Sequence, residues 1–353
     1  MSRFLDARFQ GLEEYVPGEQ PQDQQYIKLN TNESPYPPSQ KVQEAAGMEA
    51  AKLMLYNDPD GRQLKQTLAE YYQVEPQNVF LSNGSDDILN FAFMAYARRY
   101  GVLYPEISYG FYPVFAQLYG VQAETPPLRA DLSIDPADYQ GKGKMVVLAN
   151  PNAPTGRALT LGEIEAILQA NPDVPVVIDE AYIDFGGQSA VPLVKQYDNL
   201  CVSMTFSKSR SMAGARLGFA IAQKAIIGDL EKIKYATNPY NVNRMTQAAG
   251  IAAIADSRYY EENCKRIMET RAYTAEKLQA LGFAVVPSVA NFLFVRSDAI
   301  GGLELYEELK KRGILIRHFT TEKIQDYNRI TIGTREQMDA LIQTIEALLE
   351  ERK

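Results

Sequence analysis

A regular alternation between short apolar runs and segments with helical periodicity constrains this chain more than any other feature. Residues 145–149, 174–178 and 200–204 form apolar runs bounded by turn residues, which is typical of buried strands. Apolar residues three to four positions apart occupy the stretches between them, as at 161–169. This alternation predicts an α/β fold with a mostly parallel sheet covered by helices on both faces.

The last part of the chain shows a different pattern. Strands are predicted near 283–286, 292–296, 314–317 and 329–332, with helices at 303–311 and 337–349. The stretch 243–281 has helical periodicity with possible breaks, and it links the two parts. A chain of 353 residues is long for one core, so we expect two domains, the second a smaller α+β module.

Composition excludes several classes of function. The net charge of −8 and the lack of a long basic run argue against nucleic-acid binding. Two cysteines, Cys201 and Cys264, exclude a disulfide framework and fit a cytoplasmic protein. No apolar run approaches the roughly 20 residues of a membrane-spanning helix. With His318 as the single histidine, His-based metal clusters are excluded and no metal is predicted.

Lys208 lies in a turn between the apolar runs 200–204 and 217–222. A lysine held out of bulk water becomes a nucleophile toward carbonyl carbons. Ser207, Arg216 and nearby backbone N–H groups could hold a phosphate beside it. An aldehyde and a phosphate on one ligand describe pyridoxal phosphate, whose chemistry needs a lysine. The alternative is an ordinary surface turn.

Other predicted strand ends carry polar residues. The turn 82–87 joins a strand to a helix and could bind an anion at the helix N-terminus, or Ser85 or Asp86 could simply cap that helix. Asp179 follows a buried strand and needs a partner: a pyridinium N–H would serve, and so would a helix cap. An aromatic ring from the loop 105–112 could lie on a cofactor or only pack.

Four motifs occur in order along the chain. They are Asn-Pro-x-x-Pro-Thr-Gly at 150–156, Asp-Glu-Ala-Tyr at 179–182, Ser-Lys-x-x-x-x-Ala-Gly-x-Arg-x-Gly at 207–218, and Arg-Ile-Thr-x-Gly-Thr-Arg at 329–335. Each is weak alone, but their combination is specific. With them the chain resembles the fold-type I pyridoxal-phosphate-dependent aminotransferases, and within these the group that acts on histidinol phosphate.

The resemblance implies an architecture. The large domain would be aspartate-aminotransferase-like, with a mostly parallel, seven-stranded-type sheet covered by helices. Its expected bounds are 39–245, and the smaller α+β domain would comprise 1–38 with 246–353. The resemblance also implies a homodimer with shared active sites, in which Tyr56 reaches the cofactor phosphate of the neighbouring subunit.

The resemblance also implies roles for individual residues. Lys208 would form a Schiff base with pyridoxal 5'-phosphate and then carry the proton, Asp179 would pair with the pyridine nitrogen, and Tyr182 would bond the ring's 3-oxygen. Tyr109 would stack on the ring. The implied phosphate ligands are Gly84, Ser85, Asp86, Thr205, Ser207 and Arg216. The implied substrate ligands are Arg335, Arg317, Tyr15 and Asn32.

One position departs from the family pattern. The asparagine that bonds the 3-oxygen in the family corresponds to Ala153 here, and Asn152 lies one residue earlier. Either Asn152 turns into the site or Tyr182 carries the interaction alone. The two arginines also have alternatives to substrate binding. By its position Arg335 could be a surface residue at the start of a helix, and Arg317 could lie at an exposed strand end.

The implied reaction is transamination between L-histidinol phosphate and 2-oxoglutarate, giving imidazole acetol phosphate and glutamate. An aromatic or broad-range aminotransferase and a threonine-phosphate decarboxylase are the alternatives on the same fold. A non-catalytic pyridoxal-phosphate-binding regulator is disfavoured because the lysine is present and no DNA-binding domain is appended. A nicotinamide dehydrogenase is weaker still, because no Gly-x-Gly-x-x-Gly motif joins a strand to a helix.

Overall fold

The computed structural model describes residues 2–352. Its α-helices are α1 Gln40–Ala50, α2 Arg62–Tyr72, α3 Ser85–Ala92, α4 Arg98–Tyr100, α5 Phe111–Leu118, α6 Leu161–Ala170, α7 Lys224–Thr237, α8 Arg244–Ala255, α9 Ser257–Ala280, α10 Gly302–Lys311 and α11 Arg335–Glu350. A π-helical turn, Phe93–Ala97, joins α3 to α4. Short 3-10 helices span Ala7–Phe9, Pro76–Asn78, Pro136–Tyr139, Ile183–Phe185, Val191–Lys195, Ala213–Ala215 and Glu322–Ile324.

The strands form three sheets. They are β1 Ile27–Lys28, β2 Val79–Ser82, β3 Val102–Leu103, β4 Ala123–Glu124, β5 Met145–Ala149, β6 Val176–Asp179, β7 Leu200–Thr205, β8 Gly218–Ala222, β9 Phe283–Val286, β10 Phe292–Ser297, β11 Ile314–Leu315, β12 Arg317–His318 and β13 Asn328–Thr331. The large sheet has seven strands in the order β2-β8-β7-β6-β5-β3-β4.

The large sheet is parallel except for β8, which confirms the predicted α/β class. β8 runs antiparallel to both β7 and β2, with Thr205 paired to Gly218 and Ser82 to Gly218. The connection from β7 to β8 is a turn without a crossover helix, and such a connection reverses the chain. Because β7 runs parallel to β6, the lysine turn that follows β7 lies at the same edge of the sheet as the end of β6.

Alternate residues of the central strands enter two separate apolar cores. In β5, Val146 and Leu148 face one core, and Met145 and Val147 face the other. Helices cover both faces, as expected for strands that are apolar throughout. Fully burying each such side chain contributes about 1.5–3 kcal/mol. The central strands are therefore a rigid support for the polar residues at their ends.

A four-stranded antiparallel sheet, ordered β12-β13-β10-β9, forms the second module, as predicted. Its core includes Phe292, Ile330 and Leu341, with α9 and α11 packed against the sheet. Strand β1 pairs in parallel with β11, with Ile27 opposite Ile314. This pairing fixes the segment that follows β1 beside the second module.

The helical stretch predicted at 243–281 consists of α8 and α9, which confirms both the helices and the break between them. The break falls at Asp256, which ends α8 and precedes α9. Helix α8 packs on α1 and α2. The division into 39–245 and 1–38 with 246–353 stays a prediction. Within residues 2–352, no helix has the length and apolarity needed to cross a membrane.

Candidate active site

A cavity of about 680 Å³ opens where the carboxyl ends of β6 and β7 face the second module. Asp179, Thr205 and Lys208 line it on the side of the large sheet, and Arg317 and Arg329 on the opposite side. Parallel strands present their carboxyl ends at one edge, and ligands bind there in open α/β sheets. The fold thus brings residues from distant parts of the sequence to one site.

Lys208 projects into this cavity from the turn between β7 and β8. The turn is closed by backbone bonds from Phe206 N–H to Leu217 O at 2.9 Å and from Met212 N–H to Phe206 O at 3.1 Å. The Lys208 Nζ donates to the backbone oxygen of Thr31 at 3.3 Å and lies 5.8 Å from the centre of the Tyr182 ring. The amine is thus held at the cavity wall.

The start of α3 forms a cradle beside the lysine turn. Gly84 has φ +82°, and a Cβ there would lie 2.5 Å from Arg216 Nη2. A Cβ on Gly218 would lie 2.4 Å from the backbone carbon of Gly84, so only glycine fits. Gly84 occupies the N-cap and supplies no side-chain cap. Capping by Ser85 or Asp86 is therefore not what the structure shows.

Hydroxyl and guanidinium groups surround that helix start. The Thr205 hydroxyl donates to Ser207 Oγ at 2.9 Å, and Arg216 Nη2 donates to Asp86 Oδ2 at 3.1 Å. Ser85, Asp86, Thr205, Ser207 and Arg216 all line the cavity. Free N–H groups, the helix dipole and a guanidinium together favour a phosphate.

Asp179 ends β6 with a side chain that is 4% exposed. Its Oδ2 accepts a bond from the Tyr112 hydroxyl at 3.4 Å, and its Oδ1 has no partner within residues 2–352. Burial, with the charge of Asp86 adding to it, raises the pKa of Asp179 to about 7. The 3-10 helix that follows has Tyr182 at its N-cap and no side-chain cap, so Asp179 does not cap it. Its buried free oxygen fits a cationic N–H donor.

Tyr182 lies between Lys208 and the N-terminal segment. Its hydroxyl accepts a bond from Asn32 Nδ2 at 2.9 Å, and Asn32 Oδ1 accepts one from the Thr331 hydroxyl at 3.0 Å. Tyr182, Asn32 and Ala153 line the cavity together. This contact between Asn32 and Tyr182 is not what the sequence predicts, since it joins residues 150 positions apart.

Asn152 does not line the cavity, in contrast to its predicted cofactor contact. Its Nδ2 donates to Ile107 O at 3.0 Å and Thr155 Oγ1 at 3.2 Å, while its Oδ1 accepts from the Ser108 hydroxyl at 2.7 Å. The side chain is fully buried, and these bonds satisfy its polar atoms. Of the two possibilities that the sequence left open, the geometry favours Tyr182 acting without Asn152.

Tyr109 and Tyr15 supply aromatic surface to the cavity. The Tyr109 hydroxyl donates to Asp86 Oδ1 at 2.7 Å, which holds the ring beside the phosphate cradle. Tyr15 stacks on Phe111, with ring centres 4.2 Å apart and planes 18° from parallel. Both tyrosines line the cavity. Stacking of Tyr109 on a cofactor ring stays a prediction.

Two arginines face the cavity from the second module. Arg317 donates to the backbone oxygens of Pro17 at 3.2 Å and Val16 at 3.1 Å. Arg329 donates to Asn30 O at 3.0 Å, and its buried Nε has no partner in the described part of the chain. Burial lowers the pKa of Arg329. A buried guanidinium with a free donor at a cavity wall fits an anionic ligand.

Arg335 does not line the cavity, in contrast to its predicted contact with substrate. It is the first residue of α11, donates to Asp339 at 3.3 Å, and lies 3.1 Å from the centre of the Tyr273 ring. Its side chain is about half exposed. Arg329 lines the cavity in its place, although the sequence reasoning did not select it. The sequence did carry a signal for it, because Arg329 is a charged residue inside the predicted strand that begins the motif 329–335.

Tyr56 also lies outside the cavity of its own chain. The side chain is 79% exposed and stacks on Tyr240, with ring centres 4.5 Å apart. Met54 and Leu55, beside it, are exposed as well. The predicted contact of Tyr56 with a neighbouring subunit stays a prediction.

Comparison with known proteins assigns the class. The family model described as "Aminotransferase class I and II" matches residues 24–345, so the chain belongs to this family, and its fold is the type I fold of pyridoxal-phosphate enzymes. Two relatives are named histidinol-phosphate aminotransferase. The protein of Marinomonas sp. is 48% identical, and the match covers 99% of this chain and 100% of that protein. The protein of Acinetobacter baylyi is 47% identical, and the match covers 98% of each chain. The histidinol-phosphate aminotransferase of Sinorhizobium meliloti, solved in complex with pyridoxal-5'-phosphate, superposes with TM-score 0.89, 25% identity and complete coverage of both chains.

The residues of this chain fit pyridoxal phosphate. Because Gly84 has no side chain, the Arg216 guanidinium lies close against the start of α3, where a phosphate would bind. The unpartnered oxygen of Asp179 matches a pyridinium N–H, and the amine of Lys208 lies at the same cavity wall. The cofactor supplies an aldehyde for amine exchange and a ring that accepts electrons.

Proposed function

We propose that this enzyme transfers the amino group of L-histidinol phosphate to 2-oxoglutarate, giving imidazole acetol phosphate and L-glutamate in histidine biosynthesis. One observation supports it above all: a single cavity holds two anion sites, one at the start of α3 and one at Arg329. The first suits the phosphate of the cofactor. The second suits the phosphate of the amino donor and, in the return half-reaction, a carboxylate of 2-oxoglutarate.

The proposed roles of the residues follow from their positions. Lys208 Nζ holds the cofactor until the substrate amine replaces it, and the released amine then moves the proton from the substrate carbon. Asp179 keeps the ring nitrogen protonated. Tyr182 donates to the ring's 3-oxygen, and Tyr109 packs on the ring face. Arg329, with Arg317, orients the anionic end of the substrate.

A spectroscopic assay with a substrate panel tests the proposal. We expect a visible absorption band with pyridoxal phosphate that bleaches on adding histidinol phosphate and returns with 2-oxoglutarate. Bleaching with tyrosine or phenylalanine in preference to histidinol phosphate would identify an aromatic aminotransferase. Release of carbon dioxide from threonine phosphate would identify a decarboxylase. Either result would contradict the proposed substrate.

We also propose a homodimer with shared sites, in the cytoplasm. Exposed apolar residues cluster around Tyr56, with Met54 at 81% exposure and Leu53 and Leu55 at 60%, and such a patch favours association. Cys201 and Cys264 are free and buried, which fits a reducing compartment.

Mixed dimers test the shared site. Lys208→Ala and Tyr56→Ala should each be impaired alone. If Tyr56 acts in the partner's site, dimers mixed from the two variants contain one intact site, and about a quarter of all sites become active. If Tyr56 acts in its own subunit, mixing restores nothing. Analytical ultracentrifugation of the unmixed protein gives the oligomeric state.

A further inference from the structure

Asn32 occupies an unusual backbone conformation between the two modules. Its φ is +57°, in the left-handed region, and its side chain is 1% exposed. Most residues with a side chain avoid this region, and asparagine tolerates it better than most. Asn291 holds the backbone in place by donating from Nδ2 to Asn32 O at 2.9 Å. The side-chain amide is therefore set in one place.

Hydrogen-bond directions around this amide follow from its partners. The Asn32 N–H donates to Thr331 Oγ1 at 2.9 Å, and the Thr331 hydroxyl lies 3.0 Å from Asn32 Oδ1. The Thr331 hydroxyl thus accepts from the backbone and donates its own hydrogen to Oδ1. That leaves Asn32 Nδ2 as the group that donates to the Tyr182 hydroxyl, at 2.9 Å.

This arrangement fixes where the Tyr182 hydrogen points. Because the phenol oxygen accepts from Asn32, its own O–H is free to donate elsewhere, and Tyr182 faces the cavity beside Ala153. Ala153 has no side-chain donor, and the buried amide of Asn152 is bonded to Ser108 and Ile107. The phenol is then the cavity's donor at this point, and an N–H bond to its oxygen strengthens it as a donor.

We infer that Asn32 is a positioning residue for the reaction: its amide directs the Tyr182 O–H toward the cofactor's 3-oxygen, in place of the donor missing at Ala153. The inference rests on the proposed function, because it concerns the cofactor bound in this cavity. It also gives Asn32 a different role from the predicted contact with substrate. Thr331 connects the amide to β13, the strand that carries Arg329.

The test measures the pH midpoint of the visible absorption band of the cofactor-loaded protein. A donor to the 3-oxygen stabilises its negative charge, so removing the donor raises the midpoint. We expect Tyr182→Phe to raise it by about one pH unit and Asn32→Gly by about half as much. Glycine removes the amide and accepts the left-handed backbone, so strain is avoided.

Asn32→Asp tests whether the direction of the hydrogen bond to Tyr182 matters, or only the packing of the side chain at position 32. The carboxylate has nearly the same shape but only accepts, so it takes the Tyr182 hydrogen and turns it away from the cavity. We expect a midpoint at least as high as in Tyr182→Phe. Asn30→Ala is the matched control: Asn30 is also 1% exposed at the cavity, but its amide donates to Glu19 O at 2.8 Å, and the midpoint should stay unchanged.

Other charged and titratable groups near Tyr182 are the same in all variants. They are Lys208, Arg329, Asp86, Asp179, Tyr15, Tyr109 and Tyr112. If Tyr182→Phe raises the midpoint and both Asn32 variants leave it at the wild-type value, this inference is overturned and the proposed function stands. If no visible band forms, or Tyr182→Phe has no effect, the proposed cofactor site fails and the inference fails with it. Thermal unfolding of each variant confirms that it is folded.

Discussion

The two walls of the cavity are built in different ways. On the large-sheet wall, Asp179 ends β6 and Lys208 follows the end of the neighbouring β7, while Gly84 lies between β2 and α3. On the opposite wall, Asn32 comes from the N-terminal segment and Arg329 from the middle of an antiparallel strand. The first wall follows from local strand–turn motifs. The second depends on which distant segments pack together.

Among residues 2–352, each wall also carries a buried polar atom without a partner, an acceptor on the first wall and a donor on the second. Asp179 Oδ1 on the first wall suits a cation, and Arg329 Nε on the second suits an anion. Leaving such groups unpaired costs about 1–3 kcal/mol each, and more for charged groups. We infer that the first wall serves the cofactor and the chemistry, and that the second serves substrate selection.

The largest expected effect comes from the first wall. Lys208→Ala should lower kcat by about a thousandfold or more, because it removes both the covalent attachment and the proton carrier. Steady-state kinetics with histidinol phosphate measures the loss. Lys224→Ala, at an exposed position on α7, is the control and should retain full activity. Equal activity of the two variants would contradict the assignment of this wall.

Arg329→Met should have the next largest effect. Removing the partner of a buried charge costs about 2–5 kcal/mol, so kcat/KM for histidinol phosphate should fall by about a hundredfold. Arg335→Met is the matched control, and we expect a change of less than about threefold because its side chain is exposed and paired with Asp339. The opposite ranking would place the substrate site at α11.

This pair of arginines shows what the sequence could predict. The motif 329–335 contributes an arginine to the cavity wall, but that arginine is Arg329 and not the predicted Arg335. Thr334 caps α11 by accepting from Gln337 N–H, which makes Arg335 a helix residue whose side chain turns outward. The exact end of a strand and start of a helix is set by such capping and packing, and periodicity alone resolves it poorly.

The fold was more predictable than the site. The apolar runs of β5, β6 and β7 are buried throughout, so their strand character and parallel arrangement follow from composition and spacing. The bond from Asn32 to Tyr182 was not predictable, because it depends on β1 pairing with β11. A strand near 314–317 is predicted from the sequence, but no local pattern shows that it pairs with β1.

Asp179→Asn tests how the buried carboxyl affects the pH dependence of the free energy of unfolding. Burial raises the pKa of Asp179 from 3.8 to about 7, so between these values the unfolded chain loses a proton that the folded chain keeps. The free energy of unfolding of the cofactor-free protein therefore falls as the pH rises through this range, and it is unaffected by this group below about pH 4.

We expect Asp179→Asn to remove about 2 kcal/mol of the difference in unfolding free energy between pH 5 and pH 8. Urea denaturation of the cofactor-free protein at both pH values measures it. Asp173→Asn, at an exposed site, should leave the difference unchanged. The same pH dependence in Asp179→Asn as in the wild type would show that the folded carboxyl is already ionised at pH 5.

Asn152→Ala should have the smallest effect, and only on stability. The substitution removes bonds to Ser108, Ile107 and Thr155, and the buried partners left behind cost about 1–3 kcal/mol in unfolding free energy. Because the amide does not line the cavity and is bonded to protein groups, the affinity for pyridoxal phosphate and the pH midpoint of its absorption should stay within error of the wild type.

Asn171→Ala is a suitable control for that variant, because Asn171 is similarly buried, donates to Tyr139 O and Ile167 O, and does not line the cavity. We expect the two variants to lose comparable stability and to bind the cofactor equally well. A raised absorption midpoint in Asn152→Ala alone would mean that Asn152 turns toward the cofactor when it binds. The first wall would then have two donors to the 3-oxygen, and its positioning would depend less on Asn32 and the second module than the structure indicates.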